Sequence, residues 1–534
     1  MLRTGIVLGC FSALISFSLV SACTGTQDDC ANTSTCSSGG SSAAGSAGKS
    51  GSGGNSGSPS GGSTSGDAGE TTGGTTNGGG SSGTSSMAGA GGGGGGGGGE
   101  CDPTKSPTDE ACLVSDDYAI FVAPDGDDGN AGSKESPLAS VTKAVEVAAG
   151  EKIILVCSGS YDEHVSITAG AHIFGGFKCA DWSADPTNPL FKPTTTGPAL
   201  KIDTVTDELL IESVSFEVGD ATAAGETVLT AIVNASPKVT LRSVSLKAGK
   251  AKAGANGTLT GFTFPEATSL NGNPETSAGS GGTAKTCMCQ ATLSSTGGLG
   301  GAPVAGGQSG SKGQPDHGGG APGIPATCGS GGTGQDGNDA PDGDAAAGAS
   351  FLGTPSASGW QPAPGLDGLT GQPGQGGGGG ASRNDQGHGG GGGCGGCGGN
   401  AGTAGKGGGG SIALLALSSP VVLESSTLTT ADAGNGGTGA AGEAAKADVG
   451  AGAGVVSSLN SCPGGNGGKG GAGGAGGGGA GGVSAGVVWR GAVAPTVSVD
   501  TTITIGKAGT KGAGGVPGTN DGIAGVAQKV LPLN

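Results

Sequence analysis

Ala199–Val218 reads ALKIDTVTDELLIESVSFEV, and Thr230–Lys247 reads TAIVNASPKVTLRSVSLK. In both, apolar and polar residues alternate in short runs broken by Pro or small polar residues, which is the period-2 pattern of half-buried strands. The pattern returns far downstream in Ile412–Thr429 (IALLALSSPVVLESSTLT) and Ala485–Ile505 (AGVVWRGAVAPTVSVDTTITI). Aligned on their strands, Ile211, Leu241 and Leu423 fall in register, and so do Glu212, Arg242 and Glu424. Recurring units of about 20 residues, each with two or three strands, predict stacked coils whose inward residues are buried by the coils above and below. In such a stack the three charged residues form an outward ladder of alternating sign, a salt-bridge row and not a catalytic set.

Upstream, Tyr118–Val122 reads as a strand and PDGDDGNAG (Pro124–Gly132) as turns. Ser136 and Pro137 have the chemistry of an N-cap and first helical residue, and Val141, Ala144, Val145 and Ala148 follow at helical spacing. Gly150 stops this amphipathic helix of about twelve residues. Ile153–Val156 is then a strand. The run from Ile120 to Phe177, with Gly159, Tyr161 and Glu163 in a Gly-x-Tyr-x-Glu turn, resembles the start of right-handed parallel β-helix proteins of the pectate-lyase superfamily. The resemblance implies that the helix caps the first coil. It carries little about function, because one fold hosts many activities.

The fold class expected is therefore all-β: a right-handed parallel β-helix with a short N-terminal capping helix, interrupted by long glycine-rich insertions. The parts are β-helix over 118–247, a first insertion over 248–410, one coil over 411–430, a second insertion over 431–482, and a final coil with a glycine-rich tail over 483–534. Each glycine-rich segment leaves its coil directly after the last strand, so phase alone places all three on one flank. From Gly392 the chain divides into GGC GGC GGN AGT AGK GGG, and from Gly464 into GGN GGK GGA GGA. An extended helix of three residues per turn places the non-glycine residues on one edge and lets bare glycine edges pack backbone to backbone. The stretches resemble the glycine-repeat regions of PGRS-type surface proteins. From the sequence, two readings stay open: ordered polyglycine II layers, or a disordered low-complexity coil.

Arg3 and the apolar stretch Ile6–Val20 form a signal-peptide core too short to span a membrane. Val20-Ser21-Ala22-Cys23 resembles the lipobox of bacterial lipoproteins, which implies a signal peptide over 1–22 and a mature chain beginning at an acylated Cys23. Thr24 beside it implies, by the same analogy, an outer-membrane, surface-exposed location if the cell has an outer membrane. Residues 23–117 comprise the anchor and a Gly/Ser/Thr linker that cannot bury a core and is expected to be disordered. As a flexible coil, Thr24–Glu100 has an end-to-end distance of ~50 Å, enough to hold a head clear of the membrane.

The 534 residues include 128 glycines and only 33% hydrophobic residues, which excludes several ordinary globular domains. A formal charge of −18 excludes a nucleic-acid partner, since nothing here neutralises phosphates. Beyond Cys10 and Cys23, twelve cysteines remain: Cys30, Cys36, Cys101, Cys112, Cys157, Cys179, Cys287, Cys289, Cys328, Cys394, Cys397 and Cys462. An exported chain uses such cysteines for disulfides. Cys30 with Cys36 makes a local loop, and Cys157 with Cys179 a staple between neighbouring coils. Cys394 and Cys397, one turn apart on an extended helix, lie ~9 Å apart, beyond the ~7 Å limit of a disulfide. Each must reach sideways to Cys287, Cys289, Cys328 or Cys462. A four-thiolate zinc site of Cys287, Cys289, Cys394 and Cys397 is the weaker alternative.

Asp125, Asp127, Asp128 and Asn130 are weak candidates for calcium, with a turn as the plainer reading. Asp162, Glu163 and His164 read as a solvated corner, and Trp182 and Trp489 as packing. Carboxylate pairs of the polygalacturonase kind are absent, as is a nucleophile elbow. No catalytic residue is assigned and no cofactor expected, calcium aside. The functional expectation is a non-catalytic, lipid-anchored cell-surface protein with a structural or adhesive role. Its partners are the membrane, through the anchor, and an extracellular polysaccharide or surface protein. The alternative is a polysaccharide-active enzyme or carbohydrate binder of the pectate-lyase-like class.

Overall fold

The computed structural model describes residues 101–102, 105–275, 280–290, 292–385, 387–446 and 461–533. Strands alternate among three parallel sheets. In one coil Leu200–Asp203 lies in sheet I, Leu209–Glu212 in sheet II and Ser215–Val218 in sheet III, after which the chain returns to sheet I at Val228–Asn234. Sheet I has six strands, sheet II seven and sheet III six, each strand pairing with its equivalent one coil away. This is the expected parallel β-helix. Ile211 pairs with Leu241 and Leu241 with Leu423, all at 1% exposure or less. Tyr161, Phe191 and Phe216 stack in sheet III at centroid distances of 4.7 and 5.3 Å.

The repeat is longer than the strand pattern alone suggests: Glu212 and Arg242 stand 30 residues apart. The additional residues form the turn from sheet III back to sheet I, which has no apolar alternation to reveal it. The other two corners recur position by position. Thr204, Ala235 and Ser418 follow sheet I strands, and Ser213, Ser243 and Ser425 follow sheet II strands, all with φ between 46° and 57°. This left-handed conformation is costly for non-glycine residues, and small side chains limit the cost. Buried serines then stitch coil to coil. Ser236 Oγ accepts from Val205 N at 3.0 Å, Ser419 Oγ from Ser236 N at 2.9 Å, and Ser426 Oγ from Val244 N at 3.1 Å.

The capping helix, α1, spans Val141–Ala148 and buries Val141, Ala144, Val145 and Ala148, the residues picked out by spacing. It starts later than Ser136 and Pro137 suggest. Leu138 bridges to Val122 and exchanges backbone hydrogen bonds with Phe121 and Ala123, so this stretch pairs with the first strand instead. Ser140 is the N-cap, its Oγ accepting from Lys143 N at 3.1 Å. The helix stops at Ala149, already left-handed at φ 49°, one residue before Gly150.

Of the two readings of the glycine-rich segments, the ordered one holds for the described residues. The N–H groups of Gly396, Gly399, Gly402, Gly405 and Gly408 donate to the carbonyls of Gly468, Gly471, Gly474, Gly477 and Ala480, each at 2.9 Å. The register advances three residues at a time, in parallel. The stretch from Gly365 to Gly380 pairs with the one from Gly390 to Gly405 with the same period but antiparallel. Around the single turn Gly476–Gly478 stand six different segments, joined to it through Gly405, Ala440, Gly515, Leu366, Asn520 and Ala349 at 2.8–2.9 Å. Six neighbours around one helix is hexagonal packing of polyglycine II type.

Close approach explains the triplets. A Cβ on Gly468, Gly471, Gly474 or Gly477 would lie 2.0–2.1 Å from the carbonyl oxygens of Asn338, Pro341, Asp344 and Ala347. One on Gly467, Gly470, Gly473 or Gly476 would lie 1.9–2.2 Å from those of Cys394, Cys397, Asn400 and Thr403. Only the third position is free, and its size tracks its surroundings. Asn466 and Lys469 are exposed, Ala472 is half-buried, Ala475 is buried, and Gly478 and Gly481 lie inside the bundle. At the rim, acidic side chains replace missing neighbours: Asp336, Asp339 and Asp342 accept from the N–H groups of Asn466, Lys469 and Ala472 at 2.6–2.7 Å.

All three glycine-rich segments leave from one corner, after the paired strands Ser245–Ala248, Thr427–Thr430 and Thr502–Thr504 of sheet III. The last is not a simple tail. After its excursion the chain returns to sheet I as Ala527–Pro532, beside Ser484–Arg490.

Leu241→Ala is expected to lower unfolding free energy by about 2–5 kcal/mol in urea titrations, the range for truncating a buried leucine. The bundle supplies a sharper comparison. Gly468→Ala places a methyl against the Asn338 carbonyl, and overpacking of this kind costs about 1–3 kcal/mol. Lys469→Ala, one residue away and exposed, should change stability by less than about 0.5 kcal/mol. Equal losses for the two substitutions would contradict the three-residue phase.

Candidate functional site

The outer face of sheet II carries the expected charged ladder. Arg242 Nη1 lies 3.1 Å from Glu212 and its Nε 2.8 Å from Glu424. The hydrogen bond to Glu424, then the charges of both glutamates, raise the guanidinium pKa against the effect of burial. Ser106 Oγ donates to the remaining oxygen of Glu212 at 3.1 Å, so the ladder also fastens the N-terminal segment. A second ladder, unremarked in the sequence, runs along sheet III: Glu217 lies 2.9 Å from Lys192 and 3.2 Å from Lys247. Burial pushes the Glu217 carboxyl up, and the hydrogen bonds of both lysines outweigh it and hold the pKa below the usual range. Its signal was the register of Glu217 with Lys247, visible once the coils are aligned.

The residues considered for calcium build a braced turn. Asp127 accepts from Gly129 N at 2.8 Å, and Asn130 Nδ2 donates to the Pro137 carbonyl at 2.9 Å. Asp128 accepts from Ala139 N and Ser140 N with one oxygen and from Ser140 Oγ with the other. The three carboxylates, Asp125 included, are not gathered. Among the described residues the one set of three or more His, Cys, Asp or Glu with ligand atoms within 4.8 Å is Cys101, Glu110 and Cys112. Its two cysteines are bonded to each other.

Asp162, Glu163 and His164 are more than a solvated corner. Glu163 accepts from the first two N–H groups of α1, Val141 at 3.0 Å and Thr142 at 2.9 Å, and from Thr142 Oγ1 at 2.6 Å. A carboxylate there satisfies otherwise orphaned donors and complements the helix dipole. Asp162 accepts from Thr194 N at 2.7 Å and Oγ1 at 2.8 Å, and these two bonds hold its pKa below the usual value. The His164 ring nitrogens lie 2.7 Å from Pro198 O and from Thr195 Oγ1. Tyr161 Oη donates to the Cys157 carbonyl at 2.8 Å, and burial pushes its phenol pKa up. The whole Gly-x-Tyr-x-Glu turn thus joins cap to coil. Trp182, 5% exposed, packs edge-on against Phe121 at 4.6 Å, and Trp489 packs against the central core.

The cysteines pair sideways, as the extended-helix geometry requires. Cys287 bonds Cys394 and Cys289 bonds Cys397, which removes the zinc alternative, and Cys328 bonds Cys462. The sequence separations are 107, 108 and 134. Closing a loop of about 100 residues contributes about 4–5 kcal/mol in the chain-entropy account. Cys157–Cys179 staples neighbouring strands, and Cys101–Cys112 closes a loop before the first coil. Cys23, Cys30 and Cys36 lie outside the described residues.

A third tryptophan, Trp360, escaped sequence reasoning because it lies within a glycine-rich insertion. The hairpin Gly353–Ser356 and Gly359–Pro362 lays it against Leu229, Ile412, Leu415 and Val488 on the outer face of sheet I. Beside it is a cleft of about 330 Å³.

One protein-family comparison bears on this geometry. Residues 124–173 match a family described as a protein of unknown function (DUF1565), a family associated with parallel β-helix proteins. The match covers α1, its braced turn and the first coil, the segment on which the β-helix resemblance rests. Neither the curated proteins nor the solved structures include a match.

Peptide mapping under non-reducing conditions should recover Cys287–Cys394 and Cys289–Cys397 as separate cross-links, and a Cys394–Cys397 bridge would exclude the extended helix there. Asp521 accepts from Gly514 N and Gly518 N and pairs with Lys511, which together lower its pKa from 3.8 to about 2. A depressed carboxyl stabilises the fold above its unfolded pKa, and that contribution is lost as pH falls through the folded value. An NMR titration should find the Asp521 carboxyl midpoint near 2, and a midpoint near 3.8 would mean that this turn does not form.

Proposed function

We propose that the protein is a non-catalytic lipoprotein of the bacterial cell envelope, tethered through Cys23 and carrying a stiff head with a structural or adhesive role. The observation that carries this reading is the interlocked head itself. Three disulfides and a period-three lattice hold the glycine-rich insertions together on one flank of the β-helix, and two more brace the first coils. Disulfides that close long loops suit an oxidising compartment outside the cytoplasm. A lattice of backbone hydrogen bonds is a broad, rigid surface, suited to contact with a polysaccharide or another surface protein. The outward ladders, whose charges are paired, fit a scaffold better than an active site. Carboxylate rows and a calcium-dependent activity belong to the second reading, a polysaccharide-active enzyme or carbohydrate binder. Incubation with a panel of acidic polysaccharides, with and without calcium, separates the two: turnover would displace the scaffold reading.

The anchor has its own test. Cys23→Ser should move the protein from the membrane to the soluble fraction or leave the signal peptide uncleaved. Normal processing with full membrane retention of the Cys23→Ser protein would end the lipoprotein assignment.

A further inference from the structure

The cleft beside Trp360 has the chemistry of a ligand site. It lies where the hairpin of the first insertion meets the last coils, walled by Phe351, Leu352, Thr354, Trp360, Arg490 and Leu533. Its volume, about 330 Å³, is at the lower end of small-molecule pockets, which favour junctions between structural units. Phe351 is 54% exposed, an aromatic ring left open at the mouth. Trp360 is 6% exposed, and its indole Nε1 is a buried donor with no hydrogen-bond partner. The Trp360 ring belongs to the cleft wall while its Nε1 is shut off from solvent, so the indole presents a ligand with apolar ring surface.

Charge supplies the other half. The chain carries 42 acidic and 24 basic residues, yet among the described residues no acidic side chain lines this cleft. Arg490 closes the strand Ser484–Arg490, pairs in register with Leu417 and is exposed at the edge of the cleft. Among the described residues it takes part in none of the ion pairs, whereas Arg242 is held between two glutamates. A guanidinium beside apolar walls matches a carboxylate, whose two oxygens accept its paired donors.

We propose that this cleft binds a small organic acid, a single carboxylate on an aromatic or aliphatic body. Arg490 receives the carboxylate, and Phe351, Leu533 and the Trp360 ring flank the body. A monoanion suits the site better than a phosphate because the chain as a whole is strongly negative, and multiply charged ligands meet greater repulsion.

The test uses the purified full chain and three probes: 3-phenylpropionate, its uncharged amide, and the peptide acid N-acetyl-Gly-Gly-Phe. For the acid, a dissociation constant on the order of 1 mM is expected for a ligand of this size. The amide should bind at least about tenfold more weakly, as loss of a charge-assisted hydrogen bond predicts. Arg490→Gln should show the same loss with an unchanged melting curve, while Arg383→Gln, exposed and outside the cleft wall, should bind normally. The chain has three tryptophans, so the indole N–H resonance of Trp360 can be followed, and it should shift on binding. Equal affinity for acid and amide, unaltered binding by Arg490→Gln, or an unmoved Trp360 resonance would overturn the proposal. Tighter binding of the peptide acid than of 3-phenylpropionate would also overturn it, in favour of a protein C-terminus as the ligand.

Discussion

Backbone packed directly on backbone is the interaction on which the head depends. Where polyglycine II helices meet, the carbonyl oxygen of one lies about 2 Å from the place a Cβ would occupy on the next. In the surrounded helix of residues 464–478 two positions of every three must therefore be glycine, and the third is limited by whatever stands beyond it. Residues 365–374, with fewer close neighbours, keep one glycine in three. Such a lattice needs almost no apolar surface. Its apolar clusters are small, one built from Leu270, Cys287 and Cys394 and another from alanines. Hydrogen bonds at each turn take the place of a core, since buried N–H and C=O groups are costly to leave unpaired. Glycine loses more conformational entropy on folding than other residues, and the long-range disulfides offset part of that loss by restricting the unfolded chain.

The β-helix in turn solves the nucleation problem of the bundle. A three-residue helix has no internal hydrogen bonds, so an isolated one has nothing to hold it. Paired strands in sheet III deliver the three glycine-rich segments from stacked positions and in matching register. The handover is polar and buried. Ser411 Oγ accepts from Ala431 N and donates to the Gly249 carbonyl, while Thr430 and Ser484 hydroxyls meet at 2.9 Å. The insertions repay this by covering sheet I with the Trp360 hairpin, which gives the β-helix a second apolar layer on that face. Core and outgrowth are thus one structure.

Within this frame, polar residues divide into two kinds of work. Some brace corners, as Glu163 does for α1 and Asp128 for its N-cap. Others stand in for neighbours missing at the rim, as Asp336, Asp339 and Asp342 do for backbone donors. A cleft that sets aromatic and aliphatic walls beside Arg490, which forms no ion pair among the described residues, belongs to neither kind.

Much of the fold was legible in the sequence, for a physical reason. Strand alternation and stacked registers are local, one-dimensional patterns, so the alignment of Ile211, Leu241 and Leu423 and the ladder beside them were readable directly. Glycine triplets likewise specify a three-residue helix, and its rise alone forbids a Cys394–Cys397 bridge. Partners distant along the chain were not readable. Nothing in Ser136–Pro137 says that the next residues pair with the first strand and delay the helix to Val141. Glycine repeats are equivalent to one another, so only assembly decides which helices run parallel and which antiparallel, and which are surrounded. The gradation from Asn466 to Gly481 records that outcome without naming the neighbours. The Trp360 cleft depends on a hairpin meeting the strand Ser484–Arg490, more than 100 residues away along the chain. Sequence by itself determined the repeating units, because each follows from local sterics and hydrogen bonding. Tertiary structure alone decided their neighbours, because backbone surfaces without side chains carry no address.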